Sequence, residues 1–171
     1  NHISWLDIPV LHAAVFCRFV SKDEVRRWPL IGRLATAAGT LYIARHSRRD
    51  AQRMVQSMSD SLRQGDLVCV FPEGTTSDGL GVLPFHSNLL QAAIDAQAPI
   101  QPVALLFVQQ PSMHTSTVPS YVGDESLLTS LWRTLRAEGL IAQVHFGPSE
   151  LAQGRDRRIW SLDLHAQITT L

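Results

Sequence analysis

A histidine and an aspartate near the start of the chain have side chains that suit general acid–base chemistry. His2 and Asp7 are five positions apart, so on one continuous helix they would point to different faces. They can meet only if His2 lies on a turn and Asp7 begins the next helix, whose first turn would suit Pro9. A carboxylate bound to one imidazole nitrogen leaves the other nitrogen free to take a proton. From these residues alone, a helix-capping role for Asp7 and a plain loop position for His2 remain the alternative.

The sequence offers no nucleophile of its own, because it contains no Gly-x-Ser-x-Gly motif and no cysteine in a reactive setting. If His2 acts as a base, we therefore expect it to activate a hydroxyl group of a substrate. The other histidines have no metal-ligand spacing, and we expect no metal site. They are His12, His46, His86, His114, His145 and His165.

A loop from Val70 to Gly79 follows a predicted buried strand and is rich in polar side chains. Ligand sites in α/β sheets gather at the carboxyl ends of strands, which is where this loop must lie. Its backbone amides and the hydroxyl groups of Thr75, Thr76 and Ser77 could surround an anionic or heavily oxygenated group. The run Phe-Pro-Glu-Gly equally suits a β-turn with proline second and glycine fourth, so both interpretations remain open at this point.

A third candidate is the short apolar run that begins after Gly39 and ends in Arg45. Because Arg45 and Glu73 both follow predicted strands, Arg45 could place a cation in the same site. For Arg49 and Arg53, in the same basic cluster, we expect a solvated helix face instead.

Helical and strand-like patterns alternate along the chain and would position these residues. Apolar residues at helical spacing follow Ser47 and Asp50, and Gly65 ends this helix. The run 67–71 is continuously apolar and too short for a helix, which is typical of a strand covered on both faces. The alternation predicts an α/β fold with a mostly parallel central sheet and helices packed on it. Further helices are predicted over 87–96, around 127–135 and over 161–171, with strands over 102–108 and 141–146.

Composition is typical of a single folded domain. The 171 residues are 45% hydrophobic and 18% charged, which allows a sizeable core and excludes a disordered segment. The formal net charge is zero, so bulk charge gives no reason to expect a nucleic-acid partner. Cys17 and Cys69 lie in apolar runs and are expected to be buried, reduced thiols. No stretch reaches the roughly 18 apolar residues that span a bilayer, and no signal peptide is visible.

Four segments, in this order and spacing, resemble the glycerolipid acyltransferases of the 1-acylglycerol-3-phosphate acyltransferase type. That family has a His-x-x-x-x-Asp motif, a glycine-led strand ending in arginine, a Phe-Pro-Glu-Gly-Thr motif and a short apolar strand with a Pro-Val core. Each segment alone is a weak signal, and the four together are a strong one. Here they lie at His2 to Asp7 (preceded by Asn1), Gly39 to Arg45, Phe71 to Thr75, and Ala98 to Ala104.

The resemblance implies transfer of a fatty acyl group from an acyl thioester, on coenzyme A or acyl carrier protein, to the hydroxyl of a lysolipid. It makes His2 the general base and Asp7 the residue that orients it, with no cofactor. A membrane surface is an expected partner, at the cytoplasmic face of the inner membrane. The residues expected to bind the substrates are Gly39, Arg45, Glu73, Gly74, Thr75, Thr76 and Pro102.

We also expect residues 1–171 to be one acyltransferase domain cut from a longer protein. The chain begins at Asn1 without methionine. A catalytic loop of this fold should leave a buried strand, yet no strand precedes His2. Upstream residues are expected to supply that strand and an apolar helix that docks on a membrane.

Some positions depart from the family pattern. Thr76 stands where many members that acylate lysophosphatidic acid have arginine, Ala44 replaces an acid, and His86 replaces a lysine. The sequence around Thr76 is more similar to bacterial lysolipid acyltransferases, including those of the ornithine-lipid pathway, which favours a bulkier or less anionic acceptor. Two alternatives remain: a catalytically silent lipid-binding domain of the same fold, and a thioesterase that uses water as the acceptor.

Overall fold

The computed structural model describes residues 1–43 and 47–171, in which helices and strands alternate. Arg45, predicted to place a cation in the site, lies outside the described residues together with Ala44 and His46. The α-helices of the described part are α1 (Asp7–Ala14), α2 (Ile31–Ala37), α3 (Arg48–Arg63), α4 (Gln91–Ala96), α5 (Leu127–Leu135) and α6 (Arg157–Thr170). Its β-strands are β1 (Arg18–Lys22), β2 (Leu41–Ile43), β3 (Val68–Cys69), β4 (Val103–Gln109), β5 (His114–Thr115) and β6 (Leu140–Phe146). Short 3-10 turns cover Asp23–Arg27 and Ser87–Leu90.

The first half of the chain builds a parallel sheet in the order β2-β1-β3. Val20 of β1 lies opposite Leu41 of β2, and Phe19 lies opposite Cys69 of β3. All three strands therefore end at one edge of the sheet, and the loop that follows β3 leaves from that carboxyl edge. The predicted α/β fold with a parallel sheet is confirmed.

The second half of the chain adds an antiparallel sheet in the order β5-β4-β6, which the sequence did not predict. β6 begins at Leu140, opposite Gln109 at the end of β4, and runs back to pair Phe146 with Val103. The chain leaves the carboxyl end of β4, passes through β5 and α5, and starts β6 beside that same end. A parallel partner would have to cross over to the other end, and alternation of helix and strand alone does not distinguish the two cases.

The strand predicted over 67–71 is shorter in the structure, where β3 covers only Val68–Cys69. Pro72 has no N–H to donate to a neighbouring strand. The chain instead turns at once, because the N–H of Gly74 donates to the carbonyl oxygen of Phe71 at 3.1 Å. The predicted start of α3 is confirmed, since Ser47 caps the helix by accepting a hydrogen bond from the N–H of Asp50.

Two apolar clusters hold these layers together. The first lies between α3, α4 and α6 and contains the fully buried Trp160. The second joins the N-terminal turn to both sheets. It combines residues from the turn and α1 with residues at the start of β1 and residues of β4. Its buried members are Ile3, Leu11, Cys17, Phe19, Leu105 and Phe107. The turn that carries His2 is therefore anchored where the two sheets meet.

Candidate active site

The structure brings His2 and Asp7 into direct contact. Nδ1 of His2 lies 2.7 Å from Oδ2 of Asp7. Asp7 sits in the first turn of α1 and its side chain is fully buried, whereas the side chain of His2 is 18% exposed. With the Nδ1–H donated to the carboxylate, Nε2 keeps its lone pair and is the nitrogen available to a substrate.

Asp7 does more than contact the histidine ring. Its Oδ2 also accepts the backbone N–H groups of Ile3 at 2.6 Å and Ser4 at 3.0 Å. The helix-capping alternative does not apply, because Leu6 occupies the N-cap position and makes no side-chain capping bond. One carboxylate oxygen therefore fixes both the imidazole ring and the backbone turn that carries it.

Other parts of the chain hold this turn from outside. The N–H of Ser77 donates to the carbonyl oxygen of His2 at 2.9 Å, and the N–H of Tyr121 donates to that of Ile3 at 3.0 Å. At Gly79, where φ is +79°, an added Cβ would lie 3.1 Å from Cδ1 of Ile3. The loop after β3 and the segment before α5 thus both hold the turn that carries His2. The sequence around Tyr121 contains no pattern from which its contact with this turn could have been predicted.

Asn1 ties the same turn to the antiparallel sheet. Its side-chain NH₂ group donates to the carbonyl oxygen of Leu105 at 2.9 Å, and its Oδ1 accepts the N–H of Leu105 at 2.7 Å. The amide thereby pairs with both backbone groups of one residue of β4, as a neighbouring strand would. Only asparagine or glutamine offers a donor and an acceptor in this arrangement.

The loop after β3 sets the plane of the His2 ring. Phe71 stacks on the imidazole with ring centroids 3.8 Å apart and planes inclined by 13°. Phe19 of β1 in turn stacks with Phe71, with ring centroids 5.8 Å apart and planes inclined by 14°. The second sequence motif therefore contributes to the site through an apolar contact, in addition to its polar groups.

Glu73 is buried beside the catalytic pair, with an exposed fraction of 3%. Neither of its carboxylate oxygens has a hydrogen-bond partner among the described residues. Burial raises the pKa of this carboxyl group, and the positive charge at the amino group of Asn1, followed by the backbone and ring of His2 and the backbone of Leu83, offsets part of the effect. Burying a carboxylate that has no side-chain partner among the described residues costs folding free energy, which makes Glu73 a candidate to bind a hydroxyl or a cation.

The other residues of the loop differ in their availability. Gly74 has φ of +71° and closes the turn to Phe71, so the predicted β-turn forms and coexists with the buried Glu73. The side chain of Thr75 is exposed. The hydroxyl of Thr76 donates to the carbonyl oxygen of Tyr121, which makes Thr76 a link to the segment before α5.

Two further residues predicted to bind the substrates, Gly39 and Pro102, lie just before strands. Gly39 precedes β2 at the amino edge of the parallel sheet, where its carbonyl oxygen accepts Nε–H of Arg18 at 2.7 Å. Pro102 precedes β4, and its carbonyl oxygen accepts the N–H of Gly147 at 2.8 Å. The direction of the strands places Gly39 at the edge opposite the loop that carries Glu73, which corrects the prediction for Gly39. Pro102 lies three residues before Leu105, the partner of Asn1, and stays a predicted substrate-binding residue.

Within residues 1–43 and 47–171, no three His, Cys, Asp or Glu side chains gather as metal ligands would. In the same part of the chain, none of the helices combines the length and the apolar character needed to cross a bilayer.

The raised pKa of Glu73 predicts a pH-dependent stability difference. A carboxyl group whose pKa is higher in the folded state favours folding while it is protonated, and this contribution is lost as pH rises above its ordinary value of 4.5. Glu73→Gln should therefore unfold at about the same urea concentration as the wild type near pH 4 and at a higher one at pH 7. The exposed Glu24 serves as control, since Glu24→Gln should follow the wild-type profile. If the urea midpoints of Glu73→Gln and the wild type change with pH in parallel, the pKa of Glu73 is not raised by folding.

Comparison with known proteins agrees with the geometry. The model of the Acyltransferase family matches residues 1–106. The chain is 40% identical over 158 residues to a 1-acyl-sn-glycerol-3-phosphate acyltransferase of Neisseria gonorrhoeae, covering 92% of this chain and 61% of that protein. It is also 40% identical over 157 residues to a lyso-ornithine lipid O-acyltransferase of Pseudomonas aeruginosa, covering 92% and 60%. The chain thus spans about three fifths of the length of these relatives.

The fold has a solved counterpart. The crystal structure of the 1-acyl-sn-glycerophosphate (LPA) acyltransferase from Thermotoga maritima superimposes with a TM-score of 0.59 at 18% identity, covering 99% of this chain and 63% of that one. The resemblance noted in the sequence is confirmed, and the chain belongs to the Acyltransferase family.

Proposed function

We propose that this chain carries the catalytic part of an O-acyltransferase that moves a fatty acyl group from an acyl thioester to the hydroxyl of a lysolipid. The observation that carries the proposal is the contact of 2.7 Å between Nδ1 of His2 and Oδ2 of Asp7, which leaves Nε2 as a free base. Relatives at 40% identity are named for acylation of a lysolipid, which supports the same reaction class.

In the proposed reaction, Nε2 of His2 takes the proton of the acceptor hydroxyl while its oxygen bonds to the thioester carbonyl carbon. The resulting tetrahedral intermediate breaks its carbon–sulfur bond, and the imidazolium returns the proton to the departing sulfur. An ester and a free thiol result, without a covalent enzyme intermediate. Asp7 holds the required tautomer and stabilises the imidazolium through the short contact to Nδ1.

The loop 71–79 is proposed to bind the substrates. Glu73 is the strongest candidate, because its buried carboxylate has no partner among the described residues and can accept a hydroxyl of the acceptor. Among the amides of this loop, the N–H of Thr75 is a suitable donor to the oxyanion of the intermediate, whereas that of Gly74 is already donated to the carbonyl oxygen of Phe71. Arg45 is proposed to face an anionic part of either substrate. Coenzyme A or acyl carrier protein is the proposed carrier, and the cytoplasmic face of the inner membrane the proposed location.

The acceptor is proposed to be less anionic than a phosphate monoester. Thr76 adds no charge to the loop, and its hydroxyl is already donated to the carbonyl oxygen of Tyr121. An arginine in its place would bring up to two charge-assisted hydrogen bonds, each worth about 1.5 to 3 kcal/mol. A lyso-ornithine lipid or a lysophospholipid diester fits a loop that lacks this charge.

His2→Ala is expected to lower kcat by about a hundredfold or more, because proton transfer by a positioned base contributes roughly 10² to 10⁴ in rate. Asp7→Asn should be nearly as severe, since it favours the wrong tautomer. The assay measures esterified lipid and free fatty acid separately, with and without a lysolipid. His114→Ala, at an exposed histidine, is the control and should keep wild-type activity.

Activity of His2→Ala within tenfold of the wild type, with an unchanged circular dichroism spectrum, would remove His2 as the base. Release of free fatty acid without ester formation would instead identify a thioesterase. Lipid binding without either product would identify a silent lipid-binding domain.

Thr76→Arg should shift selectivity toward lysophosphatidic acid by about one to two decades in kcat/KM relative to lyso-ornithine lipid. Thr76→Val is the matched control, because it removes the hydrogen bond to Tyr121 without adding charge. The ratio of kcat/KM values for the two acceptors is the readout. A wild type that already prefers lysophosphatidic acid, with a ratio that Thr76→Arg leaves unchanged, would refute the argument from charge.

A further inference from the structure

An exposed apolar cluster lies on the segment that follows β1. Its members, Trp28, Leu30, Ile31 and Leu34, fall within seven residues and are all exposed, Leu30 to 69% and Leu34 to 61%. We call these four residues the apolar tip. Single exposed apolar side chains are ordinary on protein surfaces, whereas a contiguous group of large ones marks a surface that contacts something else.

The backbone of the apolar tip is strained in a way that exposes Leu30. Leu30 has φ of 64° and ψ of −58°, and the N–H of Ile31 donates to the carbonyl oxygen of Pro29 at 2.7 Å. This geometry is a γ-turn of the rare, strained form, which disfavours a side chain such as leucine. Leu30 therefore keeps a strained backbone although its side chain is 69% exposed and gains little burial in return.

Basic side chains surround the apolar tip. Arg27 and Arg33 are exposed, and the carboxylate of Asp23 lies 3.9 Å from Arg27 in a weak, solvent-exposed pair. Over residues 22–34 the charged side chains sum to a net positive charge. They are Lys22, Arg26, Arg27 and Arg33 against Asp23 and Glu24.

The apolar tip and the candidate active site both follow the carboxyl ends of strands, at the same edge of the parallel sheet. β1 ends at Lys22, opposite Ile43, and the chain continues from this carboxyl edge through the 3-10 turn to Trp28. Phe71, which stacks on His2, leaves β3 at the same edge. A surface that met the apolar tip would therefore also lie near the entrance to His2.

We propose that the apolar tip inserts into the surface of an anionic lipid bilayer. Leu30 and Leu34 enter the acyl boundary, Trp28 lies at the headgroup level, and Arg27 and Arg33 contact lipid phosphates. A bilayer lets Arg27 and Arg33 extend to anionic headgroups while the leucines are buried in the acyl region, which matches the net positive charge of residues 22–34. The inference rests on the proposed function in one respect, which is that a lysolipid acceptor resides in the bilayer.

Binding to vesicles tests the role of the leucines. The full chain is mixed with vesicles of phosphatidylglycerol and phosphatidylcholine, and the partition coefficient is measured by co-sedimentation. Leu30→Asn with Leu34→Gln should lower it by at least about tenfold, and Asn tolerates the positive φ of the turn. Leu162→Gln, at a leucine of α6 that is 71% exposed, is the matched control and should stay within about twofold of the wild type.

Arg27→Gln with Arg33→Gln tests the charge. It should weaken binding to the anionic vesicles by about fivefold per arginine and leave binding to pure phosphatidylcholine vesicles unchanged. Unchanged vesicle binding in the leucine variant would overturn the proposal. The proposal would also be overturned if the leucine variant lost only thermal stability or self-association. Such a result would indicate that protein, and not lipid, covers the apolar tip.

An activity assay separates this proposal from the proposed function. The leucine variant should acylate a short-chain lysolipid dissolved as monomers at the wild-type rate and lose activity toward the same headgroup in vesicles. No acyl transfer by the wild type to any acceptor would contradict the proposed function but would leave the vesicle measurements valid. Equal loss toward dissolved and vesicle-borne acceptors would contradict membrane docking by the apolar tip.

Discussion

The site depends on one buried carboxylate oxygen. Oδ2 of Asp7 accepts the Nδ1–H of His2 and the backbone N–H groups of Ile3 and Ser4, while Oδ1 has no partner among the described residues. Because the three donors converge on one atom, the orientation of the imidazole and the shape of the turn cannot vary independently. A charged acceptor makes each of these bonds stronger than one between neutral groups, and burial excludes the water that would compete.

Everything around this turn serves to keep it at the junction of the two sheets. The side chain of Asn1 pairs with Leu105 of β4, and Ile3 packs in the cluster that spans both sheets. Phe71 comes from the carboxyl edge of the parallel sheet and stacks on His2. The same loop carries Glu73, and burying its carboxylate without a hydrogen-bond partner among residues 1–43 and 47–171 costs folding free energy. Such a cost is typical of a group that is kept for binding rather than for stability.

The sequence predicted most of the elements because their local signals were complete. Ser47 and Gly65 bound α3 as expected, and the apolar run before Phe71 marks a strand, though a shorter one. The Phe-Pro-Glu-Gly-Thr motif marked the loop that places Phe71 and Glu73 beside His2, while the substrate-binding roles of Glu73, Gly74 and Thr75 stay predictions. The antiparallel β6, the distant position of Gly39 and the bond from Tyr121 to the turn were not predictable, since each depends on strand direction or on contacts between residues far apart in sequence.

The contact with Nδ1 implies that Asp7 holds His2 in the tautomer that leaves Nε2 free to act as a base. Nitrogen-15 NMR of histidine-labelled protein distinguishes the two tautomers of a neutral imidazole directly, and the His2 signals can be assigned by their loss in a His2 variant. If Asp7 orients the ring, Nδ1 is protonated and Nε2 is unprotonated in the wild type, and this preference is weakened or reversed in Asp7→Asn. A neutral His2 that carries its proton on Nε2 in the wild-type protein would show that Asp7 does not orient it in this way.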